Sequence, residues 1–399
     1  MPGTIPDTLV SLTIGYHFNQ SITPGILPQS LCHLEFGSLF NKPLISTDML
    51  PRSLITLTFG HRFNQPIEHD TLPTTITSLT FGTMFNQNVD YALPPSIKSL
   101  RLGRDFLGQL GLVRLAFINS LDIPYEAYSL IDVLPLSITS LTITCGIIEE
   151  MPDIPAQVTT LVFGDTGQIP RFPLGVSLHQ STTLKSLTFR SKFNRELDIN
   201  VLPANLKNLV MGDAFNKSIQ PDSLPNTLKS LRLGKSYQGS MLNLPSSVKT
   251  LTVYKLDQDT IIPIHIAHLL VAYKYSSIES VPPFVQALTS ITIKIGMQKE
   301  SAPTNDYVKH LLTVIYPGVK NINVDLVCEL CLIETLNIRR MNDGRAWCQA
   351  QHVHSHLKEH SKIYSIDMGN EESRSSSSSP STSSSSLKNI IQWMSKKLL

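Results

Sequence analysis

Four residues near the C-terminus have the types and spacing of a tetrahedral zinc site. Cys328 and Cys331 form a C-x-x-C pair, and Cys348 and His352 form a second pair four residues apart. Thiolate sulfur and imidazole nitrogen are the donors that zinc prefers. The first pair, however, lies inside the apolar run VDLVCELCLI. Cysteines in such runs are ordinarily buried and unligated. The reading therefore assigns no metal and no cofactor, and keeps a zinc-binding C-terminal module as an alternative. His354, His356 and His360 are read as decoration of a polar segment.

Catalysis finds no constellation to stand on. The chain has no phosphate-cradling glycine loop, no G-x-S-x-G and no H-E-x-x-H. Its glycines recur about once per repeat, and its acidic residues are scattered. The expectation is a non-enzymatic protein.

Charge points the same way. There are 33 Lys+Arg against 31 Asp+Glu, which gives no field to draw nucleic acid. Five unevenly spaced cysteines do not make a disulfide framework and fit a reducing, cytoplasmic setting. The start, MPGTIPDTLV, lacks the basic and apolar regions of a signal peptide, and Pro2 excludes N-myristoylation. No window holds the roughly 18 uninterrupted apolar residues of a membrane span. The sequons at Asn19 and Asn216 carry no weight in a cytoplasmic chain.

What must position any functional side chain is a repeat. Prolines recur at Pro6, Pro28, Pro51, Pro73, Pro94, Pro135, Pro155, Pro203, Pro225, Pro245 and Pro263, mostly 20 to 23 residues apart. A unit without the proline starts at Ser181. Apolar residues fall three, six and eight positions after the proline, as in Leu54, Leu57 and Phe59. Gly60 follows directly, then Phe63-Asn64 and Ile67. The same frame fits the units of Leu9, Leu31, Ile76 and Leu206.

Leu57 and Phe59 alternate with Thr56 and Thr58, which is a short strand with one buried face. Ser, Thr and Val around them favour the extended state. Gly60 ends the strand at a sharp turn and Pro51 sets the corner before it. Phe63 is expected at the far corner of the core. Asn64 is expected to hydrogen-bond loop backbone that water cannot reach. One unit cannot hold itself together, so units must stack and share a core.

This frame resembles the FNIP repeat family, named for its Phe-Asn core, and its L-x-x-L-x-L half resembles leucine-rich repeats. The resemblance covers roughly residues 5 to 300. It differs from leucine-rich repeats in placing the Asn five residues after the last strand apolar residue, not three. It implies a mainly β fold: a right-handed leucine-rich-repeat-like solenoid with a parallel concave sheet and few helices. It also implies protein binding. Some relatives join such repeats to an F-box, which makes substrate recognition for a ubiquitin ligase an alternative. No helical F-box-like segment precedes the first repeat here.

The frame loosens toward the end, with Ile266, Leu269 and Val271, then Leu288, Ile291 and Ile293, then Val319, Ile322 and Val324, then Ile333, Leu336 and Ile338 still in step. The solenoid is read as residues 1–340, with a helix at Asp306–Tyr316. A short mixed segment, 341–368, follows it. Residues 369–386 are read as a disordered Ser-rich linker and 387–399 as a short amphipathic helix.

The side chains between inward leucines form the open sheet face. Most are Ser or Thr, and Arg101 and Arg232 break that uniformity. Lys185, Lys207, Lys229 and Lys249 precede the first open-face position in four successive units. These six basic residues are the candidate contact set for a protein partner with an acidic surface. The first strand, near Leu9–Ile14, presents an edge that self-association would cover.

Overall fold

Three hydrogen-bonded turns wrap the third repeat into one coil. In the third coil the Pro51 carbonyl accepts the N–H of Leu54 at 3.2 Å, and the Gly60 carbonyl accepts that of Phe63 at 3.3 Å. The third turn closes from Glu68 to Thr71 at 3.2 Å. The Pro turn recurs at Pro6, Pro28, Pro73, Pro94, Pro135, Pro155, Pro203, Pro225, Pro245 and Pro263. It explains the three-residue offset from proline to leucine, because a β-turn bonds position i to i+3. Three residues before Pro28, Pro73, Pro203 and Pro225 stand Gly25, Asp70, Asn200 and Asp222, all at positive φ. Gly, Asn and Asp are the residues that enter that region readily.

The computed structural model describes residues 5–89, 91–107, 116–124, 127, 130–131, 134–144, 154–164, 177–255, 260–273, 288–297, 321–328, 332–340, 345–352 and 362–367. The helix expected at 306–316, the Ser-rich linker, the terminal helix and Cys331 lie outside these residues. The chain divides into two compact units, one of Met1–Phe193 with Asp198–Asn208 and one of Asn194–Leu197 with Leu209–Leu399.

The first unit is a β-solenoid. Its strands are β1 (Ser11–Thr13), β2 (His33–Glu35), β3 (Thr56–Thr58), β4 (Ser78–Thr80), β5 (Ser99–Arg101), β6 (Ser120–Pro124), β7 (Ser140–Thr144), β8 (Thr160–Phe163) and β9 (Ser186–Phe189). Each pairs in parallel with the next, leucine opposite leucine, from Leu12↔Leu34 to Leu161↔Leu187. Among the described residues α-helix is confined to one turn, α1 (Ser177–Gln180). No helix there is long and apolar enough to cross a membrane.

Three columns lock coil to coil in this unit. The first is aromatic: Phe36, Phe59 and Phe81 stack at 5.5–5.6 Å, and Phe40, Phe63 and Phe85 stack beside them at 6.0 Å. All six are buried. The second is polar: the Phe-Asn asparagines bond loop backbone as expected, but most of these bonds are open to solvent and not buried. Oδ1 of Asn19, Asn41, Asn64 and Asn86 accepts the backbone N–H of Asn41, Asn64, Asn86 and Leu107 at 2.9–3.0 Å. The third is the glycines. A Cβ on Gly37, Gly60, Gly82 or Gly103 would stand 1.7–2.1 Å from the preceding glycine's carbonyl oxygen. Only glycine permits that approach.

In the second unit β11 (Ser230–Arg232), β12 (Thr250–Val253), β13 (His268–Tyr273), β14 (Ser290–Met297) and β15 (Asn321–Cys328) continue the parallel arrangement among themselves. Its Asn column runs from Asn194 to Asn216 to the Gln238 N–H, both at 2.9 Å. The short strand β10 (Asn208–Val210) spans the boundary between the units.

The sequence frame misleads at Ile333–Ile338. That segment does form a strand, β16 (Leu332–Arg340), but it runs antiparallel to β15, with Ile322 opposite Ile338. The antiparallel sequence goes on through β17 (Arg345–His352) and β18 (Lys362–Asp367). The reason is chain length. Three residues separate β15 from β16. A parallel return needs a crossover of a dozen or more residues, whereas a hairpin needs only a few.

Candidate binding surface

On each strand the central leucine turns inward and its two neighbours turn out. Leu34, Leu57, Leu79, Leu100 and Leu121 are at most 2% exposed. Their flanking residues, such as Thr56 and Thr58 or Ser99 and Arg101, are half-exposed or exposed. The result is a row of small hydroxyls two residues wide, interrupted by His33, Glu35, Arg101 and Asp122.

The basic candidates are distributed over both units. Lys185 and Lys207 are neighbours in the first unit, where the Lys207 N–H donates to the Lys185 carbonyl at 2.8 Å. Lys229 and Lys249 are neighbours in the second, joined the same way at 2.9 Å. Lys185, Lys229 and Lys249 are exposed and Lys207 is half-buried. Arg101, on β5, lies four strands from β9, or about 19 Å at the usual strand spacing.

A fifth lysine at the same frame position escaped the sequence reading. Lys98 precedes Ser99 as Lys185 precedes Ser186, and it is exposed. Its Nζ donates to the Phe117 carbonyl of the next coil at 3.3 Å. Lys249 Nζ makes the equivalent bond to the His265 carbonyl at 3.3 Å. Lysines at this position therefore tie one coil to the next corner as well as presenting charge. The backbone bonds in the first unit run unbroken through this column, from Val10 by way of Cys32, Ile55, Thr77, Lys98, Asn119, Thr139 and Thr159 to Lys185 and Lys207. Along the stack the exposed column passes from apolar to cationic.

Both arginines are engaged. Arg101 Nε sits 3.2 Å from Asp122 Oδ2. Burial pushes the Asp122 carboxyl above the ordinary aspartate value, against the opposing pull of Arg101, of the Thr144 hydroxyl at 3.2 Å and of Arg190. Arg232 packs 5.3 Å over the Tyr254 ring and bonds its hydroxyl. Lys235 lies 5.6 Å from the same ring and pairs with Asp213. Two cations sharing one ring, one of them also paired with a carboxylate, make a compact polar cluster in the second unit.

The proposed zinc set does not assemble. Cys348 stands opposite Ile338, which stands opposite Ile322, six residues along β15 from Cys328. Six residues of strand separate the two cysteines by about 20 Å, far beyond what one zinc ion bridges. The spacing that looked ligand-like along the chain is spread by the hairpins over distant rungs.

The FNIP Repeat family model matches residues 1–39, 40–84 and 193–236. These are the segments in which the Phe, Asn and Gly columns are most regular. Among solved structures, the crystal structure of CroV588, a circular leucine-rich-repeat protein, is similar at 28% sequence identity and a TM-score of 0.48. The similarity covers 74% of this chain and 48% of that one, so the chain spans about half its length. A comparison with curated proteins found no match.

Proposed function

We propose that this chain, which carries FNIP repeats folded as a β-solenoid, is a non-enzymatic cytoplasmic scaffold that holds a protein partner on its open sheet face. The observation that carries the reading is the regular separation of roles along each strand. The central leucine is committed to the core, and two side chains per coil are left to solvent. Within each unit repetition turns that into a regular array, the kind of surface repeat proteins use for large partners.

Charge supplies the specificity. The Lys185–Lys207 pair and the Lys229–Lys249 pair each carry two cations on neighbouring coils whose backbones are about 4.8 Å apart. Like charges so placed favour a counter-charge, so the partner surface is acidic. The test is a proximity-labelling comparison of the full chain with a Lys185→Glu/Lys207→Glu variant and with a chain lacking residues 340–399. The reading expects one set of proteins lost on charge reversal and kept on truncation. An unchanged set after reversal, with the variant still folded, overturns it. Loss only on truncation would move recognition to the C-terminal residues.

A further inference from the structure

We propose that the coils of β11 and β12 receive a short acidic segment of a partner protein, which lies along these strands and is held by cations at both of their ends. This rests on the reading above, in which the open face binds an acidic partner. It adds where on the second unit recognition is concentrated and how long a segment the site takes.

Charge is concentrated there. From Ser223 to Leu256 the chain carries Lys229, Arg232, Lys235, Lys249 and Lys255 and not one Asp or Glu. These five cations exceed the net charge of the whole chain, +2, so the remaining residues taken together are acidic. All five are exposed. Among the described residues only Lys235 has an acidic partner, Asp213. Lys249 reaches the neutral His265 carbonyl, and Arg232 reaches the Tyr254 hydroxyl. The positive field of these two coils is left for something outside them to neutralise.

The fold sorts these charges into two groups. Lys229 and Lys249 stand immediately before β11 and β12, on neighbouring coils whose backbones bond at 2.9 Å. Arg232 ends β11, and its guanidinium and the Lys235 ammonium lie 5.3 and 5.6 Å from the centre of the Tyr254 ring. Lys255 follows that tyrosine directly. Between the groups Ser230, Thr250 and Thr252 present half-exposed hydroxyls, with Ser230 opposite Thr250 and Arg232 opposite Thr252. Each of these cations and hydroxyls can donate a hydrogen bond. A segment with carboxylates at each end and a polar middle matches that order. From Lys229 to Lys235 the strand direction covers at most about 20 Å, the reach of roughly six extended residues. Nucleic acid matches less well, because its affinity grows with the number of phosphates neutralised and the two coils offer few cations.

The experiment is fluorescence anisotropy of the full chain with a labelled octapeptide that has two glutamates at each end and four serines between, at about 20 and about 300 mM salt. Lys229→Glu/Lys255→Glu reverses one exposed cation in each group, and neither side chain has a hydrogen-bond or ion-pair partner among the described residues. Arg62→Glu/Arg104→Glu makes the same change in net charge on exposed residues of the first unit. Circular dichroism checks the fold of both. The expected result is salt-sensitive binding that is at least about ten-fold weaker in the lysine variant and within about two-fold of wild type in the arginine variant. The same peptide with glutamines should not bind, and a five-nucleotide oligothymidylate, with four phosphates to match the four glutamates, should bind more weakly. No binding by the wild type up to about 1 mM overturns the proposal. So does a lysine variant that binds as well as wild type, or an equal loss in both variants. Tighter binding of the oligothymidylate also overturns it and assigns these coils to nucleic acid. A partner set lost on Lys185→Glu/Lys207→Glu but kept on Lys229→Glu/Lys255→Glu would sink this inference alone and leave the reading above intact.

Discussion

A methyl group on Gly82 would stand 1.9 Å from the carbonyl oxygen of Gly60. Real side chains do not approach so closely, and the obstacle is backbone, which cannot swing aside. Gly82→Ala should therefore force two coils apart and cost about 3 kcal/mol or more, at the upper end of overpacking penalties. Gly15→Ala, with nothing within 4 Å, should change stability by less than about 0.5 kcal/mol. Denaturant unfolding of the pair measures the contrast. Equal losses would remove the close-approach account of the glycine column.

Asn64 gives the second comparison. Its Oδ1 accepts the Asn86 N–H at 2.9 Å and the Gln87 side-chain amide at 3.0 Å. Asn64→Ala removes the acceptor of a solvent-accessible backbone donor and should cost about 0.5–1.5 kcal/mol. Asn64→Asp keeps an acceptor there and should recover more than half of that loss. Unfolding midpoints of the two variants, together with amide exchange at Asn86, separate the two cases.

The Arg101–Asp122 pair should be visible by titration more than by stability. Arg101 is 54% exposed and Asp122 18%. An ion pair so open to solvent contributes at most about 1 kcal/mol. Removing the cation in Arg101→Met, however, takes away a force that holds the Asp122 carboxyl down against burial. Carbon-13 NMR titration should find that carboxyl further above the ordinary aspartate value than in the wild type. A downward shift would contradict the burial argument.

How much of this was legible in the sequence depends on whether a residue acts within its own coil or against a neighbour. Pro51, Leu54, Leu57 and Phe59 are spaced by turn and strand geometry alone, so the period and the buried face could be read directly. Asn64 could be read as a backbone partner because it repeats. The close contact at Gly82 could not, since a turn glycine and a packing glycine look alike along the chain. Lys98 stands apart from the run of four lysines, because the coils after it carry Asn119, Thr139 and Thr159 at the same place. At Ile333–Ile338 the apolar pattern keeps the frame of the repeat while its spacing departs from it. From Ile322 to Leu336 is 14 residues, too few for a coil of 20 to 23. Arg232 and Tyr254 are 22 apart in sequence and meet because they sit one coil apart. Period arithmetic brings them into register but does not show that their rings and charges stack.

His265 sets a pH dependence. Its Nε2 is buried without a hydrogen-bond partner. Burial and the nearby Lys249 ammonium hold its value below the ordinary 6.5, partly offset by a hydrogen bond to the Pro245 backbone. A base held lower in the folded state contributes stability that is complete above the unfolded value and is lost as pH falls through the folded one. The melting temperature should therefore drop on acidification below about 6.5. His265→Gln should make that drop shallower. A slope unchanged by the substitution would assign the pH dependence to other groups.

The side-chain bonds of the asparagine and serine columns point toward the same end of the stack. Asn41, Asn64 and Asn86 each donate backward to the asparagine before them, and Ser30 and Ser53 reach backward to the carbonyls of Leu9 and Leu31. Each wrap asks of its predecessor what its successor asks of it. Removing or duplicating a whole wrap rejoins every column, whereas removing part of one breaks all of them together. The architecture therefore gains and loses sequence in complete repeats, and its length is free to drift while its cross-section is not.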